Sequence, residues 1–189
     1  MVSQQMTLLQ TTYARYNIIF NHKSTKYVLN RDWANNADEY DMKQFLRSGD
    51  YSTLNLYYVQ SVQADNDRSI GKCTMPAPGV SPGEDQFVMD GCVVLVQTIP
   101  GGDRAGVNLG MTTIHEAGHW FGLQHTFFTG CEKSDSYIMD TKPEAYPSVG
   151  CPSGRNTCPD PNDPRPDPVH NYMDWSDDHC MTEFSPGQM

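Results

Sequence analysis

The chain has 189 residues, of which 38% are hydrophobic and 19% charged, a size and balance that suit one domain in two lobes. Its formal net charge of -10 excludes the basic face that a nucleic-acid partner needs. No apolar run approaches the length of a membrane span, and the acidic balance suits solubility and cation binding.

The opening Met1-Val2-Ser3-Gln4-Gln5 runs into a polar, helix-like stretch and does not read as a signal peptide. The chain is therefore expected to be a mature domain or an incomplete gene product. Residues 3–16 place Met6, Leu9, Tyr13 and Tyr16 at helical spacing, and the β-branched and aromatic run Tyr16–Phe20 predicts a strand. Asn30–Tyr40 is polar and ambiguous. A second helix is expected over Glu39–Arg47, stopped by Ser48-Gly49, and a strand over Leu54–Val59. From Asp65 to Asp85 the prolines and glycines predict a long surface excursion carrying Cys73. Gln86–Val96, with Cys92, reads as a strand. Pro100–Gly106 reads as a Gly-rich loop before a helix that Asn108 can cap.

That helix carries the chemistry. Residues 115–125 read His-Glu-Ala-Gly-His-Trp-Phe-Gly-Leu-Gln-His. On a helix, His115 and His119 project from one face, one turn apart, and can bind a single zinc ion, with Glu116 as general base. Gly122 permits a left-handed turn that brings His125 back under the metal. Three neutral imidazoles leave the fourth tetrahedral position to water, which marks a catalytic zinc rather than a structural one.

After His125, Pro and Gly recur from Pro143 to Pro168 and hydrophobic periodicity vanishes. Such a segment cannot hold itself by apolar burial and needs cross-links or ions. The six cysteines are an even set in Gly/Pro-rich loops without a C-x-x-C pair, which favours disulfides and an extracellular location over reduced cytosolic thiols. Spacing leaves their pairing open. The expected architecture is α+β: an N-terminal lobe over 1–124 with a mixed sheet and two long helices, and an irregular, disulfide-stapled C-terminal lobe over 125–189.

The stretch 115–125 resembles the metzincin signature, H-E-x-x-H-x-x-G-x-x-H. Asn171-Tyr172-Met173-Asp174-Trp175 is similar to the methionine turn that lies beneath the metal in that group. The wording from about Leu54 onward resembles the pappalysin family, in particular its secreted fungal and microbial branch. The similar segments include Val93-Val94-Leu95, Pro100-Gly101-Gly102, His125-Thr126-Phe127 and Met181–Gln188. The resemblance implies a metzincin-like catalytic domain over 1–189, with a zinc at the floor of a cleft between two lobes and a closing helix after Gln188. It implies a secreted zinc endopeptidase acting on protein or peptide substrates, with a monomer favoured.

The resemblance also implies pairings of Cys131 with Cys158, Cys151 with Cys180 and Cys73 with Cys92. Met173 would be an apolar plug under the imidazoles. The family usually has a tyrosine two places after this methionine, where some metzincins use it to hold the tetrahedral intermediate. Here the position is Trp175, whose indole donates one hydrogen bond and cannot ionise. Asp177, Asp178 and His179 are candidates, with Trp175, for the substrate pocket, where acidic residues would favour Lys or Arg. Asp135, Asp140, Thr141 and Glu144, with Asp160, Asp163 and Asp167 in the proline run, are oxygen donors that suit calcium or are simply solvated. His170 is expected to order the methionine turn, and His22 has no assigned role. The alternative to a protease is a zinc-binding protein of the same fold with weak or no proteolytic activity. A disulfide-stapled structural module gives no reason for three histidines and a glutamate at this spacing.

Overall fold

Leu9, Thr12 and Tyr13 share one face of α1 (Val2–Ala14), and that face is buried. The computed structural model describes residues 1–63, 69–132 and 138–189. They form two units, Met1–Gly122 and Leu123–Met189. In the first unit α1 is followed by α2 (Arg31–Ala34), α3 (Glu39–Leu46), β1 (Leu56–Val59), β2 (Gly71–Cys73), α4 (Asp85–Met89), β3 (Cys92–Leu95) and α5 (Met111–Trp120).

The three strands make one mixed sheet in the order β1-β3-β2. Central β3 runs parallel to β1, with Leu56 opposite Cys92, and antiparallel to β2, with Cys73 opposite Cys92. All four β3 residues are buried, as a continuous apolar run covered on both faces must be. Met42, Tyr57, Val59, Val62, Val93 and Leu95 form a core cluster, with Trp33, Leu46 and Ile70 packed against it. The Cys73–Cys92 disulfide ties β2 to β3. The α+β class with a mixed sheet, expected from the sequence, is what the chain forms.

Several local expectations give way to tertiary context. Tyr16–Phe20 is not a strand. The chain turns there instead: the Tyr16 and Ile18 amides both donate to Tyr13 O, and Asn17 adopts φ 63°. The Phe20 ring then packs edge-on against Tyr13 at 5.3 Å. Strand propensity needs a partner edge, and this segment pairs with none. The expected strand over Gln86–Val96 is shorter. Its first part is helix α4, Gly91 follows at φ 106°, and pairing begins only at Cys92. The expected surface excursion contains β2. In the ambiguous 30–40 stretch, Asn30 accepts from the Asp32 and Trp33 amides to cap α2, and Asp38 caps α3. Asn108 does not cap α5. Its side chain donates to Gly102 O, and the helix starts instead after Gly110.

The second unit has little regular structure: isolated bridges, such as Asn171 with Glu183, and a final 3₁₀ turn, Pro186–Gln188, closed by a Ser185 capping box. Two disulfides, Cys131–Cys158 and Cys151–Cys180, overlap in sequence. Loops of 27 and 29 residues lose about 3–4 kcal/mol of chain entropy each when closed, on a chain-entropy view. A buried lysine and a half-buried arginine reinforce them. Lys142 donates to Asn156 Oδ1, Asp163 O and Arg165 O, and Arg155 pairs with Glu144 at 2.9 Å.

Candidate metal centre

Helix α5 is held at both ends by side chains from elsewhere in its unit. Tyr13 of α1 donates its hydroxyl to Ile114 O at 2.9 Å, and Gln5 donates to Gly110 O at 3.1 Å. At the other end, Trp120 Nε1 donates to Asp90 Oδ1 at 2.9 Å, while Asp90 Oδ2 pairs with Arg47 at 2.8 Å. Burial raises the Asp90 carboxyl above its ordinary range, and the Trp120 hydrogen bond and Arg47 act against that rise. The helix therefore presents its residues on a fixed frame.

On that frame His115 and His119 turn their Nε2 atoms toward one point, 3.1 Å apart, with the rings nearly perpendicular. Two nitrogens bound to one tetrahedral zinc would stand about 3.3 Å apart, from Zn–N distances near 2.05 Å. The separation thus fits two ligands of one ion. Within the contiguous segment 115–125, the ligating atoms of His115, His119 and His125 all lie within 4.8 Å of one another. Gly122 makes the return possible: its φ of 95° is left-handed, and its amide closes the helix on His119 O at 2.8 Å. A donor set of three imidazoles, with no thiolate in it, suits a divalent metal ion with an open coordination position.

Glu116 is buried, and its Oε2 has no hydrogen-bond partner among the described residues. Desolvation pushes its carboxyl up to about 8. An orphaned buried carboxylate oxygen beside a histidine cluster is what a site built to receive a cation and a proton donor should contain. The carboxylate lies against β2. A Cβ on Gly71 would stand 2.8 Å from Glu116 Cγ and Cδ, so any side chain there would displace the carboxylate. The Sγ of Cys92 sits 3.4 Å from Glu116 O, which places the Cys73–Cys92 disulfide against the same turn of helix.

In the second unit, the His125 ring stacks on Phe127 at 4.7 Å and meets the edge of Trp175 at 5.3 Å. Trp175 is half exposed and also contacts Phe127. Met173 is fully buried, its amide donating to Asn171 Oδ1 and its carbonyl accepting from the Thr126 amide at 3.2 Å. Asp177 is half-buried, Asp178 buried and His179 exposed. His170 Nδ1 contacts Cys180 O at 2.8 Å. Of the oxygen donors considered for calcium, Asp135 lies outside the described residues. The Asp140 carboxylate accepts from Ser185 Oγ and the Gly187 amide, and Thr141 Oγ1 meets Ser185 Oγ at 2.8 Å.

Sequence reasoning missed Gly71 and the Arg47–Asp90–Trp120 brace. No local pattern marks them, because each acts across a long stretch of chain. The full burial of Glu144 and Asp174 is likewise marked by no local pattern.

The Peptidase_M43 family model, described as pregnancy-associated plasma protein-A, matches residues 50–189. An extracellular metalloprotease of Colletotrichum graminicola is 45% identical over 188 residues, covering 100% of this chain and 65% of that protein. Extracellular metalloprotease 1 of Coccidioides posadasii is 42% identical, again over 100% of this chain and 65% of the relative. The chain thus spans just under two thirds of the length of these curated relatives. Among solved structures, Tannerella forsythia mature mirolysin in complex with a cleaved peptide superposes with a TM-score of 0.66 at 22% identity, over 98% of this chain and 79% of that one. Mirolysin in complex with compound 9 gives a TM-score of 0.56 at 27% identity, over 73% of this chain and 49% of that one. These likenesses show a shared fold.

Proposed function

This chain belongs to the Peptidase_M43, or pappalysin, family, and on that premise we propose that it is a secreted zinc-dependent endopeptidase acting as a single catalytic domain over 1–189. The observation that carries the reading is the convergence of three imidazoles beside the unpartnered carboxylate oxygen of Glu116. His115, His119 and His125 would hold the ion. When bound, zinc supplies a Lewis acid that polarises the scissile carbonyl and makes water a nucleophile near neutral pH. Glu116 accepts the proton of the attacking water on its carboxylate and returns it to the leaving amine nitrogen. Its burial keeps bulk water from competing for that proton. Met173 forms an apolar floor that neither ligates nor titrates.

The relatives named extracellular metalloproteases support the location, as do three disulfides, which persist in oxidising compartments. Substrates are proteins or peptides. Trp175, Asp177, Asp178 and His179 are the pocket residues of this reading, Asp178 being buried, and a monomer is its oligomeric state. Calcium at Asp135, Asp140 and Thr141 is a further proposal of this reading; each Asp140 oxygen already accepts one hydrogen bond, from Ser185 Oγ or the Gly187 amide, and keeps a lone pair for a cation.

One observation favours a second reading, a zinc binder with little proteolysis. Trp175 stands where the family usually has tyrosine, and an indole gives no phenolic hydroxyl to an oxyanion. Incubating the purified chain with denatured casein, with and without a zinc chelator, separates the two. The protease reading expects chelator-sensitive internal cleavage, with cut sites mapped by mass spectrometry. Full zinc occupancy without cleavage would establish the second reading instead.

A further inference from the structure

Directly after His125 comes Thr126, and directly after Met173 comes Asp174. The two segments are bridged by the Thr126 amide donating to Met173 O. They are bridged a second time by side chains that are almost wholly removed from solvent. Thr126 Oγ1 lies 2.5 Å from Glu144 Oε1, and the Glu144 amide donates to Thr126 O at 3.4 Å. The Glu144 and Asp174 carboxyls are in hydrogen-bonding reach of each other. Both side chains are fully buried, and Asp167 beside them nearly so.

The cations do not balance this. Arg155 pairs with Glu144 Oε2 at 2.9 Å and approaches Asp167 at 3.5 Å. Its remaining hydrogen bonds go to Ser148 Oγ and Tyr146 O. Lys142, the nearest lysine in sequence, spends its ammonium on Asn156 and two main-chain carbonyls. Asp174 accepts only neutral donors, the Ser148 amide and Ser176 Oγ, both at 3.0 Å. Asp167 accepts twice from the Thr157 amide. Of these three buried carboxyls, Glu144 and Asp167 thus divide one guanidinium between them, and Asp174 meets no cation among the described residues. A buried carboxyl beside other acids is favoured in its neutral form.

We propose that Glu144 is held in its neutral, protonated form among these buried acids and clamps the segment following His125 to the methionine turn, making Glu144 the positioning residue of the third histidine. The inference rests on the zinc-site reading above but not on proteolysis. In the clamp Glu144 carries the proton toward Asp174 and accepts from Thr126 and Arg155. Glutamine has the same shape and the same donor, without needing a proton. Burial first, then the neighbouring acids, pushes the Glu144 carboxyl up to about 8. A carboxyl raised in the folded state stabilises fully below its unfolded value, near 4.5, and that contribution is lost as pH rises toward 8.

The test compares the full chain with Glu144→Gln and Glu144→Ala. Zinc affinity is measured by competition with a chromophoric chelator, and melting of the zinc-free protein is followed from pH 5 to 9. Infrared spectra report any protonated carboxyl. The expected result is that Glu144→Gln keeps zinc affinity within about twofold, while Glu144→Ala weakens it about 10- to 100-fold, as loss of a partner behind a ligand does. Wild type should lose melting temperature relative to Glu144→Gln as pH rises. It should also show a protonated-carboxyl band that the glutamine variant lacks. If Glu144→Ala does not fold, Thr126→Val removes the hydroxyl contact and should weaken zinc binding in the same direction. Parallel melting curves for wild type and Glu144→Gln with no such band, or equal zinc loss in Glu144→Gln and Glu144→Ala, would overturn the protonated clamp. A chain that binds zinc as expected here but cuts nothing would count against the protease reading alone.

Discussion

Replacing Gly71 by alanine isolates the placement of the Glu116 carboxylate from everything else in the centre. The new methyl would stand 2.8 Å from Glu116 Cγ and Cδ and closer still to Oε1, where ordinary contact begins near 3.4 Å. Backbone relief is limited, because β2 is fixed in register to β3, with Gly71 opposite Val94, and by the disulfide two residues on. The carboxylate must therefore yield by roughly 0.6 Å or more, and its helix cannot follow because Trp120 and Ile114 O are tied down. A misplacement of about 1 Å at a reacting group costs on the order of 100-fold in rate. A loss of about 10- to 100-fold in kcat/KM, or roughly 1.4–2.8 kcal/mol of transition-state stabilisation, is expected. The stability cost should be smaller, toward the lower end of about 1–3 kcal/mol, because the obstructed atoms are the far end of one side chain. The assay is initial-rate kinetics on a quenched fluorescent peptide, with zinc content and Tm measured on the same samples. Zinc should stay stoichiometric, since no histidine is touched. Unchanged kcat/KM in a folded, zinc-loaded Gly71→Ala protein would refute the assignment of Glu116 as the proton carrier at that spot.

Glu116→Gln should retain zinc and lose about 10²- to 10⁴-fold in kcat, measured on the same peptide; wild-type turnover would remove Glu116 from the mechanism. Trp175→Ala deletes edge contacts to His125 and Phe127, each worth about 0.5–1.5 kcal/mol, so zinc dissociation measured by stopped flow should quicken roughly 2- to 10-fold per contact transmitted to the ligand. Arg47→Met leaves Asp90 buried without its cation, and urea unfolding should report a loss of about 3–5 kcal/mol. Removal of zinc by a strong chelator should abolish casein cleavage, and stoichiometric zinc should restore it; cleavage unaffected by chelation would point to another class of protease.

The metal-binding stretch was legible in the sequence because its geometry is local. Helical periodicity alone sets His115 against His119, and one glycine at φ 95° supplies the turn toward His125. The family and the α+β class followed from that stretch and from the methionine-turn wording. The segments misjudged were those whose conformation depends on a distant partner. Tyr16–Phe20 has the composition of a strand and no edge to pair with, whereas Gly71–Cys73 lies in a turn-rich stretch and pairs with β3. Asn108 is a good capping residue spent on Gly102 O. What only the folded chain decided is the support of the site: which glycine makes room for the Glu116 carboxylate, which acid braces Trp120, and which buried acids sit behind Thr126. Each of these joins residues 18 or more positions apart, where close packing and the cost of an unpaired buried charge choose the partner and no short-range pattern encodes it.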